Sequence, residues 1–307
     1  MRYLFLFMIL SFLCFSCGDK TLVANKIQKP KDKKDLNYIP YYTKIYKADS
    51  LYIVGNYERS YELLDSLFKI YKPLNQGMIN ELEKYLILSY RQEKEVNGII
   101  KDLVSKWGYT WETFKNNPTL NEILTYSKIK EEEIDAWNQI RLSHIDLELI
   151  KELKDMMRVD QYYRVNAEKR DSMMYYDSIN NVKMKHILLT KGYPNSRLLG
   201  NYGEFDNTSI SELSTFFNHM SYAGDYEFYK DKLLEYVKDG SCHPSVWAML
   251  ITRHQEVVAK EPMKYMYLYR GLILKMFEEK EYDKIREYNK SNKEIGLPSL
   301  EYQRFKF

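Results

Sequence analysis

Cysteine, proline and glycine are all scarce in this chain of 307 residues, at 3, 8 and 12 respectively. Three cysteines cannot supply a disulfide framework, so a packed core has to hold the folded part. So few glycines and prolines argue against turn-rich sheets and for long helices. Charge of one sign is not in excess either: 46 Lys and Arg stand against 43 Asp and Glu, a net +3. That balance gives no basis for a nucleic-acid surface. The sequence has no P-loop, no His-Glu-x-x-His helix, no paired Cys-x-x-Cys motifs and no nucleophile elbow. Glycine is too sparse for a dinucleotide fingerprint, and no cofactor or metal is expected. What is abundant is tyrosine, at 29 residues. Its ring packs while its hydroxyl seeks a polar partner, which suits the edge of a core.

The one long apolar run stands at the start. It extends from Tyr3 to Leu10 and on through Ser11 to Phe15, after a single positive charge at Arg2. A stable bilayer-crossing helix needs roughly 20 apolar residues, so this run suits the hydrophobic core of a signal peptide over residues 1–16. Ser16, Cys17, Gly18 and Asp19 resemble a bacterial lipobox, with Cys14 where leucine is usual, a looser form similar to those of Bacteroidota lipoproteins. The resemblance implies an exported protein held at the cell membrane or outer membrane through lipid on Cys17. Cys14 would leave with the signal peptide, and Cys242 would have no partner for a disulfide. Residues 17–37, rich in lysine and without an apolar period, read as the lipidated Cys and a solvated tether.

From Tyr41 the pattern turns helical. Ile45, Ala48, Leu51 and Tyr52 recur at helical spacing, Gly55-Asn56 breaks the run, and Tyr57, Ser60, Leu63, Leu64 and Leu67 continue towards Pro73. A second hairpin is expected from Ile79, Leu82, Leu86 and Tyr90, a turn at Glu93-Lys94, and Val96, Ile99, Ile100, Leu103 and Val104 up to Trp107-Gly108. Gly55, Tyr57, the small Ser60, Leu64 and Leu67 resemble the second half of a tetratricopeptide repeat. The two turns lie about 38 residues apart, against roughly 34 in that family. Residues 38–110 are therefore expected to form tetratricopeptide-like hairpins, and residues 111–307 an irregular helical domain. The expected fold class is all-α. Pro118-Thr119 is expected to open a joining helix with Leu120, Ile123 and Leu124. A further one carries Ile134, Trp137 and Ile140 behind the acidic start Glu131–Glu133.

The back half places polar groups on apolar stripes. A helix from about Ile145 carries Leu149, Leu153 and Met156, and the same stripe continues into Asp160, Tyr163 and Arg164. The next helix aligns Met173, Asp177, Asn180, Met184 and Ile187 on one face. Carboxylates desolvated there must find partners at a cost of several kcal/mol otherwise. Asp160 and Arg164 can pair at a four-residue spacing, and Asp177 and Asn180 can reach across to Gln161 or Arg164.

Asp160-Gln161 with Arg164, Asp177-x-x-Asn180, Gly192-Tyr193-Pro194 and the tail from Ile295 to Tyr302 together resemble the bacterial domain of unknown function numbered 6624. The likeness covers about residues 146–260 and 289–302, and it implies no reaction. Members often carry Tyr-Gly-Thr-Gln before the tail, where this chain has an apolar, aromatic and helical-looking run from Tyr265 to Phe277.

Among the histidines, His243 before Pro244 reads as a helix N-cap. His219 follows Phe216 and Phe217, and His254 continues the stripe Trp247, Leu250, so both are candidate neighbours of the polar cluster; His144 and His186 have no supporting pattern. The expected function is a non-enzymatic envelope module that binds a protein partner or a ligand. The alternative is an enzyme of unknown reaction with a site around Asp160, Gln161, Arg164, Asp177, Asn180, His219 and His254. A fully paired network that only sets helix register is the third reading.

Overall fold

The computed structural model describes residues 36–165, 170–201, 204–206, 213–220 and 225–306. Among these residues there are sixteen α-helices and no strand. The first hairpin pairs α1 (Ile39–Ile53) with α2 (Tyr57–Phe68), and α3 (Glu81–Arg91) and α4 (Asn97–Trp107) follow. Local chemistry sets these bounds. Pro40 opens α1 where its missing N–H costs nothing, Asn56 caps α2 by accepting from Arg59 N, and Gly108 closes α4 in the left-handed conformation. Ser60 is fully buried and donates to Ala48 O at 2.8 Å, so a small residue does bring the two helices of the hairpin close.

Three short helices come next, α5 (Trp111–Asn116), α6 (Pro118–Ser127) and α7 (Glu131–Leu142). The apolar spacing pointed to α6 and α7 but not to the six-residue α5, which a Thr110–Thr113 capping box holds. Their buried side chains join those of α3 and α4 in one core that runs from Leu82 to Ile134. On α7 the expected stripe drifts. Ile140 is 51% exposed while Arg141 is 5% exposed, because seven residues after Ile134 the helical period returns to Arg141.

The larger core joins α1 and α2 to α8 (Leu147–Val165), α9 (Arg170–Thr190), α10 (Ser196–Leu199), α11 (Leu213–Met220), α12 (Tyr226–Asp239) and α13 (Pro244–His254). A third, small core gathers α14 (Arg270–Glu278), α15 (Tyr282–Ile295) and α16 (Leu300–Lys306). His243 caps α13 by accepting from Ser245 N, with Pro244 in the first turn. Gly240 ends α12 at φ +81°, and a Cβ there would lie 2.9 Å from the Tyr38 ring, so only glycine lets α12 close onto α1.

Two expectations about side chains and backbone change. Tyrosine does not sit only at core edges: Tyr41, Tyr42 and Tyr229 are fully buried, each with its hydroxyl bonded. The run from Tyr265 is not helical until Arg270. Its backbone is held by amide side chains instead. Asn292 accepts from Met266 N (3.1 Å) and donates to Met266 O (2.7 Å), while Gln303 accepts from Leu268 N (2.9 Å). With its polar groups met this way, the segment has no need of helical hydrogen bonds.

The lipoprotein and membrane-anchor expectation finds no support in the described helices. Among the described residues no helix is long and apolar enough to cross a membrane. Cys17, the residues around it and the signal-peptide stretch lie outside the described residues.

Glu81 gives the fold a pH dependence. It is buried at the start of α3, accepts from Tyr41 Oη (2.7 Å) and Gln76 N (2.8 Å), and burial pushes its carboxyl up to about 7. A carboxyl raised in the folded state lends stability below its ordinary value and loses it as pH rises through the raised one. Thermal melts are expected to fall between about pH 4.5 and pH 7 and level off above, and Glu81→Gln should remove that fall, about 1–3 kcal/mol at the upper end. An unchanged profile in Glu81→Gln would contradict the assignment.

Candidate functional site

The face shared by α8 and α9 is apolar at its inner end and polar at its outer end. Leu149, Leu153, Met156, Met184 and Ile187 are all buried, and Asp160 follows them at 1% exposure. A carboxylate so deep must gather donors, and Asp160 gathers three residues. Arg164 donates to Oδ1 through Nε (3.2 Å) and Nη2 (3.0 Å), Gln161 Nε2 donates to Oδ2 (2.8 Å), and His219 Nδ1 lies 3.1 Å from Oδ1. The four-residue spacing on α8 delivers Arg164, and α11 delivers His219 from the third side.

Arg164 then crosses to α9. The same Nη2 donates to Asp177 Oδ1 at 2.7 Å, and Nη1 contacts the Met173 sulfur at 3.3 Å. One guanidinium therefore bridges two carboxylates of unequal depth. The Asp160 side chain is fully inaccessible, whereas those of Asp177, Arg164 and His219 keep 18%, 19% and 16% of their surface. Burial presses the Asp160 carboxyl upward, but the His219 and Arg164 hydrogen bonds outweigh it and hold the group below its ordinary value. Burial dominates at Asp177; Arg164 opposes it, the negative Asp160 adds to it, and the carboxyl ends above its ordinary value. Two acids on one cation are thus driven in opposite directions, the pattern that separates proton donor from permanent anion in acid–base sites.

The other expected members fall differently. Asn180 is buried beside the cluster but donates to Met156 O at 3.1 Å, fixing α9 against α8 rather than joining the carboxylates. His254 stacks face to face on Tyr226 with ring centroids 3.6 Å apart. Beyond the cluster, Tyr163 stacks on Tyr176 (4.1 Å), while Tyr162, Met174 and Tyr175 are exposed. Two large cavities of about 550 and 650 Å³ lie elsewhere, and no member of the cluster lines either of them.

No family model, curated protein or solved structure matches this chain. The chemistry is read from the side chains alone. Among the described residues no group of three or more His, Cys, Asp or Glu is placed to hold a metal ion.

Further buried polar groups escaped the sequence reading. Asp49 takes Lys84, Lys306 (3.1 Å) and the Tyr302 hydroxyl (2.6 Å). Arg141 makes a two-point pair with Glu204 (2.7 and 3.0 Å). Asn181 accepts from Tyr229 Oη (2.6 Å) and donates to Asp225, which also holds Lys185 at 2.5 Å. Asp49 and Arg141 were legible: each stands on an apolar helical stripe, four residues after Ile45 and after Trp137, the same signal that marks Asp160.

The expectation of a non-enzymatic body is corrected by these findings. It rested on the absence of a catalytic-type constellation, and buried Asp49, Arg141, Asp160 and Asn181 each centre a polar network. The Asp160 network brings two carboxylates, a guanidinium and an imidazole together.

Asp160→Ala removes the anion beside His219 and one of the two held by Arg164, and should cost about 3 kcal/mol. Asp177→Ala, at the more open position, should cost about 1–3 kcal/mol. Urea denaturation at unchanged slope measures both. The signs with pH differ. The stability lent by the depressed Asp160 is present above its ordinary value and lost as pH falls, while that of the raised Asp177 is lost as pH rises. Changes under about 0.5 kcal/mol would show that neither group is part of the packing.

Proposed function

We propose that the chain is an acid–base catalyst of unassigned reaction whose site is the α8–α9–α11 cluster. Asp160 stays ionised and inaccessible, and orients Arg164 and His219. Arg164 and His219 keep an accessible edge towards a ligand, and Arg164 is suited to a group that gains negative charge. Asp177 is the proton-exchanging acid, because its carboxyl holds its proton to a higher pH than an ordinary aspartate. Asn180 keeps the α8–α9 spacing through Met156 O. The single observation that carries this reading is the Arg164 Nη2 nitrogen shared by two carboxylates of opposite acidity and unequal exposure. A purely structural pair would need only one of them.

Water-soluble carbodiimide attacks protonated, reachable carboxyls, so labelling followed by peptide mass mapping separates a site from a sealed network. About one unit above the ordinary aspartate value of roughly 3.9, Asp177 should label at least about tenfold faster than Asp160. Asp177→Asn should abolish that signal with the far-ultraviolet spectrum unchanged. An Asp177 that resists the reagent as completely as Asp160 would make the cluster a closed network and remove the proposal.

A further inference from the structure

Residues that line the 650 Å³ cavity carry unmet polar groups, independent of the α8–α9 cluster. It opens where the end of α4, the segment after α2 and the Tyr193–Arg197 stretch come together, and its volume is that of a small-molecule site. Most polar groups in its wall are satisfied internally. Tyr38 Oη donates to Lys72 O, Tyr42 Oη donates to Cys242 O, and His243 accepts from Ser245 N. Asp239 is taken up by Ser241, through N at 2.8 Å and Oγ at 2.5 Å.

Two buried donors are not satisfied, and an exposed guanidinium lies beside one of them. Trp107 Nε1 and Gln76 Nε2 are buried atoms with no hydrogen-bond partner among the described residues. The Arg197 guanidinium lies over the Trp107 ring at 4.8 Å and forms no ion pair among them. Asp102, the one carboxylate whose field it feels, is paired with Lys106 at 2.6 Å. Buried N–H groups left unbonded cost about 1–3 kcal/mol each, so two of them in a wall that also carries the solvent-exposed Arg197 guanidinium point to an acceptor supplied from outside.

We infer that this cavity binds a small monoanionic carboxylic acid with an apolar body, its carboxylate received by Arg197, Trp107 Nε1 and Gln76 Nε2. The rings of Tyr42 and Tyr193 and the side chain of Leu74 supply the apolar wall for the body. A planar carboxylate matches the guanidinium fork. A phosphate dianion fits less well, because one guanidinium and neutral N–H donors stand against the Asp239 carboxylate on the same wall. Lys72 at the margin adds positive charge that draws the anion in.

Calorimetric titration of the full chain with 3-phenylpropanoate and octanoate tests this, with 3-phenylpropan-1-ol and inorganic phosphate as comparators. Both carboxylates are expected to bind saturably, the alcohol at least tenfold more weakly, and phosphate not to displace them. Arg197→Gln should weaken carboxylate binding at least tenfold and leave the alcohol unchanged. Trp107→Phe, which keeps the ring and removes the N–H, should weaken it several-fold. Absence of saturable carboxylate binding, equal affinity for the alcohol, displacement by phosphate at equal concentration, or an Arg197→Gln variant that binds like the parent would each overturn the inference. Asp177→Asn should bind these probes unchanged, which keeps this outcome separate from that of the acid–base site.

Discussion

A carboxylate carried into a helix interface either collects donors or takes up a proton. Asp160 collects them, and the arrangement of α8, α9 and α11 follows from that need. Arg164 must lie one turn further along α8, Gln161 must turn inward, and α11 must approach closely enough for His219 to reach 3.1 Å. The same arginine is then too few donors for two acids. Asp177 shares it from α9, and the deeper acid claims most of the positive charge. The inequality between the two carboxyls is a consequence of their donors: hydrogen bonds from His219 and Arg164 outweigh burial at Asp160, while burial prevails at Asp177.

The rest of the molecule repeats the construction with tyrosine in place of arginine. Asp49 is met by Tyr302 from the last helix, Glu81 by Tyr41 from the first, and Asn181 by Tyr229. Each pair satisfies a buried acceptor with a hydroxyl on a ring that also fills the core. Because Asp49 and Tyr302 are 253 positions apart, their bond ties the opening hairpin to the closing helices. A chain without a disulfide among its described residues gains its long-range ties this way.

Much of the fold was legible because helical periodicity is a local property. The bounds of α1 to α4 follow from Gly55-Asn56, Glu93-Lys94 and Gly108, and the α8 and α9 stripes locate Asp160, Arg164, Asp177 and Asn180 on facing sides. The contact between Asp160 and His219 joins helices 59 positions apart, and spacing carries no information about it. Asn180 and His254 were placed on the right faces yet serve other partners, since a shared face does not decide which hydrogen bond forms. Ile140 and Arg141 show the limit of counting by threes, where the drift of the 3.6-residue period puts the cation inside. The stretch from Tyr265 to Tyr269 reads as helix from its apolar content, and only the distant Asn292 and Gln303 show why it is not.

Carboxyl ¹³C resonances of the aspartates, followed across pH and assigned with Asp160→Asn and Asp177→Asn, test the central claim most directly. Asp160 is expected to titrate below the ordinary aspartate range and Asp177 above it, with Asp177 moving downward once Asp160 is neutralised. Two aspartates titrating together at the ordinary value, each indifferent to loss of the other, would contradict it.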